Sequence, residues 1–202
     1  MRVEIGGPIL STLGVVLLSG CALFSPVTTD TRKSVLDSVP LEAPREKTHE
    51  ATLLVLLPET APVYATTQMA YSTQAHQIAY FSRNEWAATP SQMIQPLIVE
   101  TLRNTHFFSA VLSPPDSGRH TLALRTEILE LKQDFTSEPA ILRLAMRVHL
   151  YREATNQVVA TRELSAGEPM TERDPYAGVV AANKATATLL GELAKFVVEN
   201  TD

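Results

Sequence analysis

The sequence predicts an α+β fold: a single domain in which a largely antiparallel or mixed β-sheet packs against two main helices, after a signal peptide and a flexible tether. Two observations lead to this fold class. Several segments alternate apolar and polar residues with the period of two of a half-buried strand, and two longer segments repeat apolar residues at helical spacing. Packing two helices against one sheet is an economical way to bury these faces. The composition, with 45% apolar and 19% charged residues, is that of a globular protein.

We expect residues 1–20 to be a signal peptide that is removed before the rest folds. Arg2 gives the segment a positive start, and an apolar run follows from Ile9 to Leu18. As a helix this run would be about 15 Å long, roughly half the thickness of a bilayer core. It is therefore too short to be a transmembrane anchor and has the length of a signal-peptide apolar region.

The end of this run, Leu18-Ser19-Gly20-Cys21, resembles a bacterial lipobox. The small residues Ser19 and Gly20 would let a peptidase reach the backbone and cut between Gly20 and Cys21. The thiol of Cys21 would accept diacylglycerol, and the new N-terminus would accept a further acyl chain. The alternative is an incidental or buried cysteine beside an ordinary cleavage site. No Asp follows the cysteine, since residue 22 is Ala, and by resemblance this favours sorting to the outer membrane.

Residues 21–50 are predicted to be the lipidated N-terminus and a linker, and residues 51–202 to be the folded domain. The linker contains Pro26, Pro40 and Pro44 among many Ser and Thr residues. As a coil, about 27 such residues would span about 28 Å on average. A short strand at Val35–Val39 is expected to interrupt it.

The strands of the domain are predicted from alternation and from the turn residues that bound them. The alternation within Thr121–Lys132 changes phase after Ile128, which predicts a β-bulge. Asn156-Gln157 is expected to form the turn of a hairpin. The predicted strands are Ala51–Leu57, Met69–Tyr71, Gln77–Phe81, Phe107–Leu112, Thr121–Lys132, Ile141–Tyr151 and Val158–Ser165.

Two helices have recognisable starts. In the first, Thr89 is an expected N-cap and Gln92 closes a capping box, while Pro96 inside the pattern predicts a kink. In the second, Asp174 is the expected N-cap and Pro175 occupies the first helical position. The stripe of the second helix is made by Val179, Asn183, Thr186, Leu190, Leu193 and Val197.

The sequence does not suggest catalysis, and we predict no catalytic or metal-binding residues. The net charge of −5 makes nucleic acid an unfavourable partner, and the single cysteine excludes an internal disulfide and a multi-cysteine metal site. The glycines that follow Cys21 are too far apart for a phosphate loop, and the five histidines are scattered singly. Glu127 and Glu130 would point to opposite faces of a regular strand, so a carboxylate pair is not expected.

The segment Tyr80–Trp86 combines aromatic and polar residues, and two interpretations of it stay open. It can be a contact surface, in which Arg83 and Trp86 are the possible partner contacts, since Tyr, Arg and Trp are favoured interface anchors. Alternatively, Trp86 is a core residue packed over the start of the first helix.

Taken together, the sequence resembles the ABC-type transport auxiliary lipoproteins, the family that includes PqiC. The order and spacing of the segments carry this resemblance over nearly the whole chain, and the order of strands, hairpin and C-terminal helix matches too. The matching segments are Leu18-Ser19-Gly20-Cys21, the strand through Tyr71, Arg83-Asn84-Glu85-Trp86, Thr89–Leu97 and Phe107–Val111.

The resemblance implies a non-catalytic accessory lipoprotein of an importer-like ABC system that contains an MCE-domain protein. It implies a location on the periplasmic face of the outer membrane and a role in moving lipids or other apolar molecules. The partners it implies are the membrane, through the lipid anchor, the MCE-domain protein and, in a homo-oligomer, further copies of the chain. No cofactor is expected beyond the diacylglycerol and N-acyl lipid on Cys21.

The sequence and what the resemblance implies together leave three functional hypotheses. The first is an anchored subunit that docks the MCE component. The second is a periplasmic carrier that binds a lipid in an apolar cavity. The third is a periplasmic lipoprotein enzyme, which would need a concave polar site with perturbed titratable groups.

Overall fold

The protein is described by a computed structural model that covers residues 30–41 and 48–201. Cys21 and the signal-peptide residues lie outside the described residues. The described part is one curled mixed sheet packed against two helices, which confirms the predicted fold class. None of the described helices is long and apolar enough to span a bilayer.

Nine strands, two α-helices and one short 3-10 helix make up the described chain. The strands are β1 (Arg32–Ser34), β2 (His49–Val55), β3 (Glu59–Thr60), β4 (Gln68–Ser72), β5 (Ala79–Trp86), β6 (Phe108–Leu112), β7 (Leu122–Asp134), β8 (Ile141–Arg152) and β9 (Gln157–Pro169). The helices are α1 (Pro90–Asn104) and α2 (Pro175–Glu199), and the 3-10 helix is Pro62–Tyr64.

Strand β7 organises the sheet because it pairs along both of its edges. On one edge it meets β2, β3 and β4 in parallel, each along a different part of its length. On the other edge it pairs with β8 in antiparallel register, and β8 continues into β9 through the predicted hairpin. The sheet then runs outward from β4 through β5 to β1, and from β2 to β6.

The bulge predicted in β7 is confirmed, and it changes the expectation for its two glutamates. The register shifts between Ile128 and Glu130, so that Leu129 has no directly paired residue on β8. Because the extra residue resets the alternation, Glu127 and Glu130 lie on the same face of the sheet, opposite Arg147 and Ala145 respectively. The expectation that they point to opposite faces is therefore wrong.

Both helix starts are as predicted. The Thr89 N–H donates to Gln92 Oε1 at 3.1 Å, which closes the Gln92 half of the capping box. Asp174 Oδ1 accepts from the N–H groups of Tyr176 and Ala177 at 2.7 and 2.9 Å. Helix α1 continues through Pro96 without a break.

The core lies between the helices and one face of the sheet. Alternate residues of β8 point into it, and these are Leu142, Leu144, Met146, Val148 and Leu150. From α1 and α2 the largest buried contributions include Ile94, Ile98, Leu102, Leu190, Leu193 and Phe196. The other face of the sheet carries charged and polar side chains.

The strand predictions are wrong in several places: β3 has no predicted counterpart, and β9 continues to Pro169, four residues beyond the predicted end at Ser165. Residues 35–39 are not a strand, since the strand lies just before them at β1. Strand β5 begins at Ala79 and extends to Trp86, five residues beyond the predicted end at Phe81.

Candidate functional site

The N-terminal part of the described chain is folded against the domain. We call residues Asp30–Leu41 the strap. Its strand β1 pairs in parallel with the end of β5, with Arg32 opposite Asn84 and Ser34 opposite Trp86. Ala87 N–H also donates to the Ser34 carbonyl at 2.8 Å. Since an uncovered β5 would leave backbone groups unpaired at the sheet edge, the strap completes the sheet. The linker predicted over residues 21–50 is thus folded over residues 30–41.

Beyond β1, the strap is held on α2 by one buried side chain and one polar side chain. Leu36 is only 4% exposed and belongs to the core cluster. Asn183 of α2 donates from Nδ2 to the Val35 carbonyl at 3.1 Å. Its Oδ1 accepts from the Asp37 N–H at 2.9 Å. Because Asn183 satisfies both an acceptor and a donor of the strap, it fixes the strap's position along the helix.

The two residues predicted as partner contacts have different surroundings. Trp86 is 3% exposed and lies in the core cluster, so it does not offer a contact surface, and the alternative interpretation as a core residue holds. Arg83 lies on the exposed part of β5, where its role as a contact stays a prediction. The aromatic ring of Phe81 stacks on Tyr71 at 4.3 Å rather than standing free.

Ion pairs cover the face of the sheet that is turned away from the helices. Arg147 bridges Glu127 and Glu163 at 2.7 Å each, and so joins strands β7, β8 and β9. At one end of the same face, Arg143 donates to Asp134 at 2.6 Å. The two glutamates and Arg147 are at least one-third exposed, so these pairs orient side chains more than they stabilise the fold.

A crevice of about 420 Å³ opens on this charged face. It lies between β7, β8 and the loop after β2, and its described lining is Leu56, Leu57, Glu59, Arg125, Thr126, Glu127, His149 and Tyr151. The guanidinium of Arg125 stacks over the Tyr151 ring at 4.5 Å. Leu57 is exposed at its edge, and the neighbouring Val158, which pairs with Tyr151, is exposed too. The crevice therefore combines apolar side chains with an Arg and a Tyr, two of the residue types that anchor protein interfaces.

The shifted pKa values in the described residues favour the usual charge states at neutral pH. Burial alone would raise the pKa of Asp134, but hydrogen bonds from Thr136 and Arg143 outweigh it and lower the pKa to about 2. Burial raises the pKa of Tyr64, and the charges of Glu130 and Tyr80 add to this effect, so that the pKa is about 12. Within residues 30–41 and 48–201, no three His, Asp or Glu side chains are grouped to hold a metal ion.

A family model described as ABC-type transport auxiliary lipoprotein component matches residues 35–194. The chain belongs to this family. The match begins inside the strap and ends within α2, so the family region includes the strap–helix contact made by Asn183. Membership implies a membrane-anchored protein of the bacterial envelope that serves an ABC transport system, in a family of transport auxiliaries rather than enzymes. The comparison with curated proteins gives no match.

Solved structures share the fold of this auxiliary lipoprotein. A Xanthomonas campestris protein of the family DUF330 is similar with a TM-score of 0.73 at 17% identity, over 84% of this chain and 94% of that one. A hypothetical protein from Chlamydia trachomatis is similar with a TM-score of 0.54 at 10% identity, over 75% of this chain and 98% of that one. At such low identity the likeness supports the fold alone.

Sequence reasoning missed the residues that give these surfaces their shape. A signal for Asn183 was present, because it is a polar residue inside the apolar stripe of α2. The stacking of Arg125 on Tyr151 had no such signal, because it depends on the register between β7 and β8.

Proposed function

We propose that this chain is an outer-membrane lipoprotein that docks the periplasmic MCE-domain component of an ABC-type system for lipids or other apolar molecules. Cys21, after cleavage behind Gly20, carries the acyl chains. The observation that carries the proposal is the family match over residues 35–194 together with a folded body that offers an Arg–Tyr crevice beside exposed apolar side chains. The MCE-domain protein would contact this crevice.

The chemistry of the crevice supports a protein partner. Arg125 is exposed and already oriented by its stacking on Tyr151, so little side-chain freedom is lost when it contacts a partner. Leu57 and Val158 add exposed apolar surface around it. A stacked Arg–Tyr pair brings together two of the residue types that dominate binding energy in interfaces.

Pull-down of the native lipoprotein from its own membranes tests the docking role. We expect an MCE-domain protein among the recovered partners, and Arg125→Ala should lower its binding about tenfold, the loss typical of an interface anchor. Arg83→Ala tests the exposed position predicted from the sequence. Lys195→Ala, which removes an exposed positive charge from the end of α2, is the control. Recovery of only unrelated proteins, or equal losses for Arg125→Ala and Lys195→Ala, would contradict the proposal.

The anchor is tested separately. Cys21→Ala should leave an unlipidated precursor that takes up no labelled acyl chain, since no other thiol is present in the sequence. Normal acyl labelling of this variant would exclude Cys21 as the lipidation site. Lipid identified by mass spectrometry in the purified protein, beyond the covalent anchor, would favour the carrier hypothesis.

A further inference from the structure

The strap and the first half of α2 enclose an open apolar groove of about 690 Å³. Eight large apolar side chains are exposed among the described residues, and four of them lie in this groove. These four, Val35, Leu41, Tyr176 and Val180, form what we call the strap surface. Their concentration in one place distinguishes this surface from the scattered exposed apolar residues of an ordinary protein.

The shape of the strap surface does not suit a small ligand. Leu41 is fully exposed and Tyr176 is 73% exposed, so both project from the rim of the groove and do not close over it. A ligand pocket, in contrast, buries most of the surface of its ligand. The groove is also smaller than a stable interface between copies, since thirteen described residues line it, compared with about 20–30 residues a side in standard interfaces.

The length of chain between the strap and Cys21 limits the distance between this surface and the membrane. Only nine residues, 22–30, separate Cys21 from Thr31. Even fully extended, nine residues span at most about 32 Å. Because the strap is fixed by β1 and by Asn183, this limit applies to the body and not only to a loose end. The acyl chains on Cys21 would therefore hold the strap surface close to the bilayer.

We propose that the strap surface contacts the lipid headgroup region of the membrane that carries the anchor. This inference rests on the lipidation of Cys21 in the proposed function. Leu41, Val35 and Val180 would enter the boundary between headgroups and acyl chains, while the amphipathic ring of Tyr176 suits that boundary.

The charged groups around the strap surface are compatible with a lipid surface. Lys33 and Lys184 line the groove and are exposed, and their long stems can lie along apolar surface while the ammonium groups reach the phosphates. Lys184 lies 3.5 Å from Glu168, and the carboxylate of Asp37 is the acidic group in the groove lining. The apolar side chains, rather than net charge, thus carry the contact.

A site-specific fluorescent label in the mature lipoprotein tests this contact. Acylated Cys21 has no free thiol, so Leu41→Cys, Tyr176→Cys and Val158→Cys each provide one position for an environment-sensitive label. Each protein, with its acylation verified by mass spectrometry, is reconstituted into vesicles of phosphatidylethanolamine and phosphatidylglycerol with or without brominated acyl chains. Val158 is the matched control, since it is exposed and apolar but lies at the start of β9, outside the strap surface.

We expect brominated lipid to reduce emission about twofold at positions 41 and 176, because interfacial side chains lie about 5–10 Å into the headgroup boundary. The label at position 158 should be unaffected. Equal quenching at all three positions, or none at 41 and 176, would overturn the inference. A blue shift of label emission at positions 41 and 176 that is the same with and without brominated lipid, and that grows with protein density, would also overturn it. That result would indicate that a second copy of the protein covers the strap surface. No MCE protein is present in this test, so its outcome is independent of the docking role.

Discussion

Replacement of Asn183 by Ala should weaken the attachment of the strap to α2 while leaving the rest of the core in place. The substitution removes the bonds to the Val35 carbonyl and from the Asp37 N–H. A typical intramolecular hydrogen bond contributes about 0.5–1.5 kcal/mol, so the two bonds together contribute about 1–3 kcal/mol. A loss of about 1.4 kcal/mol corresponds to a tenfold change in a local opening equilibrium.

Amide hydrogen exchange at Ala87 measures this opening, because its N–H donates to the Ser34 carbonyl of the strap and keeps that acceptor in the variant. We expect exchange there to be about tenfold faster or more in Asn183→Ala. The matched control is Asn200→Ala, which removes a bond from Asn200 Nδ2 to the Phe196 carbonyl in the same helix but touches no residue of the strap. Unchanged protection of the Ala87 amide in Asn183→Ala, or an equal loss in Asn200→Ala, would refute the reasoning.

Release of the strap would also change the reach of the body from its anchor. With the strap docked, the nine residues 22–30 allow at most about 32 Å. With the strap undocked as far as Thr48, the 26 residues 22–47 allow up to about 94 Å. Asn183, together with the β1–β5 pairing and the buried Leu36, therefore holds the body at the shorter reach.

Three further substitutions test the packing and the charges. Gly178→Ala would make the new Cβ overlap the Gln133 side chain, whose buried amide must then move. We therefore expect the free energy of unfolding, measured in urea, to fall by about 1–2 kcal/mol. Gly191→Ala, in the same helix, would bring its Cβ into ordinary van der Waals contact only, so the free energy of unfolding should rise by about 0.5–1 kcal/mol. A change of the same sign in both variants would contradict this account. Because its folded pKa is depressed, Asp134 stabilises the protein above about pH 4 and less as pH falls towards 2. Asp134→Asn should reduce the change in unfolding free energy between about pH 4 and pH 2 by about 1–2 kcal/mol. This range is lowered because Arg143 is 44% exposed and its attraction to Asp134 is screened by solvent. An acid unfolding profile identical to that of the unsubstituted protein would exclude this role.

The local patterns of the sequence predicted the parts of the fold that depend on near neighbours. The long alternation of β8, the phase change in β7 and the caps Thr89 and Asp174 all involve residues within a few positions of one another. Each of these features is present in the structure. Such signals are reliable because one face of each element must be buried.

The strap and the candidate surfaces could not be predicted because they depend on distant pairings. β1 pairs with β5, which lies about fifty residues later in the sequence. The second half of β5 contains the polar run Ser82-Arg83-Asn84, so its sequence does not show the alternation expected of a strand. The backbone of β5 needs a hydrogen-bonding partner at this edge, and the strap supplies one. No side-chain pattern in either segment indicates that the two pair. Trp86, which ends this longer strand and lies opposite Ser34 of the strap, is 3% exposed.

The two proposed surfaces lie on opposite sides of the sheet, and this arrangement connects the two proposals. The strap surface includes the outer side of α2, whereas Arg125, His149 and Tyr151 line the crevice on the sheet face turned away from the helices. If Tyr176 and its neighbours face the lipid, the crevice faces away from the membrane and towards the periplasm. A partner arriving from the inner membrane would then meet the Arg–Tyr pair first. Docking of the strap by Asn183 would thus orient the body as well as limit its distance from the bilayer.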